Sequence, residues 1–298
     1  MNKSLAFIDF CGSFIMALDD KRFTDVKFGC RSREDGSLVV IEAHQLVLKL
    51  ASPVFASIVT PASCDDVIII NIFADAFQAL INIIYNKTYV IESFAVAVDL
   101  FGIGKRFDIK KACAAATNFF EENLNLDTAI EFYETSKARN YQEWKLKCIE
   151  LFKTKTFYIL DHKSFLTCKP DTVKVIFGLD SLHISSELDL IKAFERYGGD
   201  QAGISDALKE IRILNISPND LVRIKFLTPV EIVQIIRIMN GDEPENSIPR
   251  GFSTNRNNRC TIVLKKKQPV SLRPVLSRLF HQNRQTENVI DLIISDSE

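Results

Sequence analysis

Hydrophobic and polar positions along this chain repeat with two different periods, and the change of period divides it. Residues 23–30 (FTDVKFGC) alternate and are rich in β-forming types, and 38–42 (LVVIE) form a second strand candidate. The polar stretch RSREDGS between them, with Gly36, predicts a hairpin loop and so an antiparallel pair. Residues 67–71 (VIIIN) are a short apolar run bounded by polar residues, the pattern of a strand buried on both faces. Short helices fit 44–50 and 52–59, the second opened by Ser52 as N-cap and Pro53 at the first helical position. From Ala74 the period becomes 3.6, with Phe77, Leu80, Ile81, Ile84 and Tyr85 on one helix face. A short strand, TYVI at 88–91, and helices over 93–105 and 109–122 complete an α+β arrangement.

After Asn123 the strand pattern fades. Residues 127–139, 141–153, 171–177, 186–197, 204–213, 217–224 and 229–239 each read as a short amphipathic helix. Asp127, Ser185, Ser205, Ser217 and Thr228-Pro229 stand where caps are needed. Short helices joined by short loops predict an antiparallel helical array. The pattern changes again at Asn240. NGDEPENSIPRGFSTNRNNR is polar, rich in Asn, Pro and Gly, and without periodicity, which predicts a linker or disordered segment. The expected division is therefore 1–122, 123–239 and a tail at 240–298.

Composition narrows the function classes. Hydrophobic residues make up 47% of the 298, enough for real cores, and charged residues 25%. The net charge of −1 provides no global field to draw nucleic acid or an anionic membrane. No uncharged run reaches the ~18 residues of a membrane span. The apolar N-terminal stretch is interrupted by Asp9, and its Leu5, Ile8, Phe14, Ile15 and Leu18 fit a helical stripe. The seven cysteines are widely spaced and form no CxxC pair, so buried free thiols in a reducing compartment are expected. The chain reads as soluble and intracellular, cytoplasmic or nuclear.

Several motifs then agree in order and spacing. Phe23-Thr24-Asp25-Val26-Lys27-Phe28, Glu42-Ala43-His44-Gln45-Leu46-Val47-Leu48 and Ala51-Ser52-Pro53-Val54-Phe55 resemble the opening motifs of a BTB/POZ domain. Phe77, Leu80, Ile84-Tyr85 and Thr88-Tyr89 resemble its later segment. Further on, Phe132-Tyr133-Glu134, Phe165-Leu166 with Val173, Ile176 and Phe177, and Glu187 to Tyr197 resemble a BACK domain. Only roughly 60 residues follow the helices, too few for a propeller of Kelch repeats.

The resemblance implies an α+β BTB/POZ dimerisation domain, an all-α BACK-like helical domain and a mostly disordered C-terminal tail. It implies a homodimer acting as a protein-interaction adaptor that recruits an unknown client to a cullin-3 ubiquitin ligase. The dimer interface would include Leu5, Ile8, Phe14, Ile15, Leu18 and Asp25. The cullin surface would include Phe55, Ile58, Ser63, Cys64 and Asp65. At the position of the family's hydrophobic-x-Glu element, however, stands Ser63-Cys64-Asp65. The missing apolar anchor would contribute about 2 kcal/mol or more to an interface.

No constellation for catalysis, cofactor or metal is expected. Asp25 and His44 each sit in a fold-defining motif and are read as structural. Gly102-Ile-Gly104 lies inside a helical stretch, where it reads as close helix packing, without the strand–turn–helix context of a phosphate cradle. His162, His183 and His281 have no metal-ligand spacing. Lys265-Lys266-Lys267 and neighbouring arginines read as a solvated basic tail, with no aromatic interleaving for nucleic acid. Val289-Ile290-Asp291-Leu292-Ile293-Ile294, followed by Ser295-Asp296-Ser297-Glu298, resembles a SUMO-interacting motif. Such a strand binds by adding to a sheet edge. It carries the alternative expectation, a nuclear scaffold that recognises SUMO-modified partners.

Overall fold

A computed structural model describes residues 12–59, 66–198 and 203–262. The chain divides into two compact units between Asn123 and Leu124.

The first unit opens with helical residues 12–19 (α1). Strands β1 (Val26–Arg31), β2 (Leu38–Ala43) and β3 (Val67–Phe73) form one sheet in the order β2-β1-β3. β1 pairs antiparallel with β2 and parallel with β3, so Phe28 lies between Ile41 and Ile68. Alternation turns Val26, Phe28 and Cys30 inward, all buried. Helices α2 (Gln45–Ala51), α3 (Pro53–Ile58), α4 (Ala74–Ile84), α5 (Phe94–Arg106) and α6 (Lys110–Asn123) supply the rest of the core. The Ser52 hydroxyl accepts from the Val54 and Phe55 amides, both at 3.2 Å, and so caps α3. Phe55 stacks on Phe107 at 4.3 Å, and Phe28 packs against Phe77 at 5.1 Å. At Gly104 an added Cβ would fall 2.9 Å from Cys113 Sγ and 3.1 Å from Ala112 Cβ. That glycine lets α5 and α6 approach, which accounts for the second glycine of the Gly-x-Gly.

Two expectations fail here. β3 is not buried on both faces. It is an edge strand with Ile70 and Ile72 inside, while Ile69 is 66% exposed. An apolar run alone does not distinguish a two-faced burial from an apolar face left open. The TYVI segment pairs with no strand among the described residues and lies in the connection between α4 and α5.

The second unit contains α7 (Ala129–Ala138), α8 (Gln142–Asp161), α9 (Pro170–Phe177), α10 (Leu188–Tyr197), α11 (Ser205–Leu208), α12 (Pro218–Leu221) and α13 (Pro229–Asn240). α8 is longer than the periodicity predicts because it continues through a kink at Lys155, φ −127°. There the His183 amide takes the Lys153 carbonyl at 3.0 Å, and the displaced Phe157 amide donates to the His183 carbonyl at 3.1 Å. Residue 183 is thus inserted into the helical hydrogen-bond ladder, a recognised cause of kinks. α13 carries a full capping box. The Glu231 amide donates to Thr228 Oγ1 at 3.2 Å and the Thr228 amide donates to Glu231 Oε2 at 2.8 Å.

The segment expected to be a linker from residue 240 onward folds back on the second unit as far as Ile262. Gly241, φ +88°, ends α13 in the left-handed conformation. Phe252 is buried. The Ser253 amide donates to Ile211 O at 3.0 Å, Leu182 N to Arg259 O at 2.9 Å and Thr261 N to Leu182 O at 3.0 Å. Arg259 and Glu187 are each 1% exposed and form a bidentate pair at 2.7 and 2.8 Å. Arg259 also donates to the carbonyls of Leu179 and Glu210, at 2.9 and 2.8 Å. Periodicity does not register such a strap, because its hold comes from one buried guanidinium and a few backbone bonds.

Candidate interaction surface

His44 joins three chain segments. Its amide donates to the Tyr85 hydroxyl at 2.9 Å, its Nδ1 lies 2.8 Å from the same oxygen, and its Nε2 lies 2.9 Å from the Arg22 carbonyl. One proton arrangement satisfies all three: the hydroxyl donates to Nδ1, and Nε2 donates to Arg22. Burial, aided by the negative Asp25, pushes the Tyr85 hydroxyl up to about 12, so it keeps that proton. Phe14 of α1 meets the His44 ring edge-on at 6.0 Å. Asp25 Oδ1 accepts from the Gln45 amide at 2.7 Å and Gln45 Nε2 donates to Asp25 O at 2.8 Å, which anchors the first turn of α2.

These bonds set how α2 is rotated. Leu48 points into the core, while Leu46 is exposed and Leu50 is 80% exposed. Met16 on α1 is exposed too. Phe23, beside the Arg22 that His44 holds, is 85% exposed and has φ +62°. A bulky residue in the left-handed region is strained. Here the strain places a large aromatic side chain in solvent. Met16, Phe23, Leu46 and Leu50 are therefore apolar groups displayed by segments that His44 ties together. A surface of this composition marks an interaction site.

The residues named from the sequence fall differently. Phe14, Ile15 and Leu18 are half-buried within their own unit. Asp25 has an intrachain task on α2. Leu5 and Ile8 lie outside the described residues, as do Ser63, Cys64, Asp65 and Val289 to Ile294. Ile58 is exposed on α3. Phe55 is fully buried in the aromatic core and cannot line a cullin surface. It sits three residues before Ile58 on the same face of a short helix, but Phe28, Phe77 and Phe107 enclose Phe55 while Ile58, in the last turn, is left exposed. Leu46 and Leu50 were missed, although the sequence carries their signal. A seven-residue helix with leucines on opposite faces needs a second surface to cover it.

Other chemistry is weaker. His162 Nε2 lies 2.9 Å from Asp127 Oδ1 and its Nδ1 2.7 Å from Ser164 Oγ, a line like a Ser–His–Asp relay. The Ser164 amide also donates to Nδ1, at 3.3 Å, so the ring caps the turn Lys163–Thr167. Asp127 is largely exposed there. The described thiols are shielded: burial pushes Cys148 and Cys168 up to about 12, and Cys30 and Cys260 up to about 11. Among the described residues no group of His, Cys, Asp and Glu could hold a metal ion, and no helix is long and apolar enough to cross a membrane.

Residues 14–124 match the BTB/POZ domain. The BTB domain of zebrafish PATZ1 is similar to this chain, at 17% sequence identity over 41% of this chain and 98% of that chain, with a TM-score of 0.33. No curated protein sequence matches significantly.

Proposed function

Given a BTB/POZ domain at residues 14–124, a protein-interaction module, we propose that the chain is an adaptor that acts as a homodimer and recruits a client protein to a cullin-3 ubiquitin ligase. The observation that carries dimerisation is the apolar display of Met16, Phe23, Leu46 and Leu50. Burying each such side chain against a partner is worth roughly 1.5–3 kcal/mol before the costs of association. Exposed Ile58 supports a cullin contact at the end of α3. Ser63, Cys64 and Asp65 follow it in sequence and would complete that surface. In this reading the helical second unit is a BACK domain that spaces the client from the ligase.

The test is calorimetry of the full chain against cullin-3, with light scattering to establish the dimer. The full chain matters, because ending it near residue 240 would remove the strap that carries Arg259. A dissociation constant of about 1 µM or tighter, roughly −8 kcal/mol, supports the ligase adaptor. No heat from an intact dimer favours the second reading, a nuclear scaffold that binds SUMO-modified partners through Val289 to Ile294. The apolar, β-branched sequence of those residues supports strand addition. A SUMO titration then decides between binding and none.

A further inference from the structure

The sheet of the first unit offers a second apolar surface, built from other residues. β2 is an edge strand. The Ser32 amide donates to the Ser37 carbonyl at 2.8 Å, so Ser37 turns its backbone toward β1. By the alternation of an antiparallel ladder, Val39 and Ile41 do the same. The backbone donors and acceptors of Leu38, Val40 and Glu42 then point to the free edge. Edge strands are ordinarily protected by proline, by an exposed lysine or by a bulge. β2 (LVVIEA) has no proline and no lysine. Its one charge, Glu42, is engaged by Thr24 at 3.0 Å and Lys21 at 3.7 Å. The register irregularity lies on the other side of β1, toward β3.

The outer face of this sheet carries an apolar strip between the exposed Lys27 and Arg31 of β1. Leu38 is 57% exposed and Val40 43%, and Ile69 lies two strands away. Gly29 separates them without a side chain of its own. A Cβ there would fall 2.6 Å from Ile69 Cδ1 and 3.0 Å from Leu38 Cδ1. Leu38 and Ile69 therefore close over the glycine, and the strip from β2 to β3 is continuous.

We propose that β2 pairs antiparallel with β2 of a second copy of this chain, joining two three-stranded sheets into one. The sequence of the strand selects this occupant. A two-fold axis at Val39 sets Leu38 opposite Val40 of the second copy, and Val39 opposite its own equivalent. The two Leu38–Val40 pairs are then apolar, Glu42 lies opposite Gly36 at the strand end, and the free backbone groups of 38 and 40 meet their complements. A shift of two residues one way sets Leu38 opposite Glu42. A shift the other way sets Val40 opposite Gly36 in the hairpin loop. A foreign strand would have to bring the pattern that symmetry supplies here. If the α1–α2 face also dimerises, which rests on the reading given above, each chain has two self-complementary faces and the assembly grows beyond a dimer.

The experiment is light scattering of the full chain over a concentration series, with amide exchange as a second readout. Wild type is expected to grow beyond twice the chain mass as concentration rises, with exchange at Leu38 and Val40 slowing at least ten-fold. Val40→Lys, at an exposed position that leaves the core untouched, is expected to stop at twice the chain mass, and Leu38→Glu to reproduce it. Leu50→Glu is also expected to stop there, through the β2 edge alone, and the double variant V40K/L50E to be monomeric. If Leu50→Glu changes nothing while Val40→Lys abolishes association, the α1–α2 reading fails and the edge pairing stands. A Val40→Lys protein with native circular dichroism and an unchanged mass profile overturns the proposal. So does a monomeric Leu50→Glu with unprotected amides at 38 and 40.

Discussion

At the scale of single residues, two kinds of buried polar group hold this chain together. Arg259 and Glu187 are desolvated together, and Arg212 adds its amide to the same carboxylate at 3.1 Å. Removing one partner leaves the other charge buried and unpaired. Arg259→Ala is therefore expected to destabilise the second unit by about 3–5 kcal/mol, read as a lowered urea midpoint. Buried acids that stay neutral make the opposite kind of contribution. Burial raises Cys148, Cys168 and Tyr85 to about 12, against roughly 8.5 for a free thiol and 10 for a free tyrosine. The native state thus holds these protons more tightly than the unfolded chain does. The stability so gained is complete below about pH 8 and is lost as pH rises toward 12. Urea midpoints taken at pH 8 and pH 10.5 should fall with pH, and thiol labelling at pH 8 should be much slower in native than in denatured protein.

At the scale of elements, caps and turns were the most legible features, because they are local. Ser52-Pro53 opens α3 and Thr228-Pro229 opens α13 as their residue types demand. The strap was not legible, since its partners lie far away in sequence: Leu182 for Arg259 and Thr261, and Ile211 for Ser253. A chain ended at Gly251 is expected to melt several degrees below one ended at Ile262. Differential scanning calorimetry of the two truncations measures this directly, and equal midpoints would remove the strap from the account. The α8 kink is of the same kind. Residue 183 enters the ladder at Lys153 from outside the helix, and nothing in the spacing of α8 announces it.

At the scale of the whole molecule, the exposed apolar residues decide what the protein can join. Leu46 and Leu50 follow from the rotation that His44, Asp25 and Tyr85 impose on α2. In a Val40→Lys background, where the β2 edge is blocked, Leu50→Glu is expected to weaken the remaining association through α1 and α2 at least a hundred-fold, read by sedimentation at low micromolar concentration, with the melting midpoint of the chain little changed. Tyr85→Phe removes the hydroxyl that the His44 amide and Nδ1 both use and should cost about 1–3 kcal/mol of folding stability. It tests whether the same surface depends on that orientation, because a loosened α2 should weaken the dimer as well.

The sequence by itself determined the order of strands and helices in the first unit, the helical character of the second, the caps, and the motifs by which residues 14–124 are known as a BTB/POZ domain. These depend on neighbours within a few positions, or on side-chain types at set spacings. Tertiary structure alone decided which apolar residues face out. Phe55 and Ile58, three residues apart on one helix, differ in what packs over them, and Ile69 and Ile70 in strand face. It alone decided that a polar segment without periodicity is pinned by Arg259. Burial and long-range pairing are properties of what packs against a residue, and that is set by the whole chain at once.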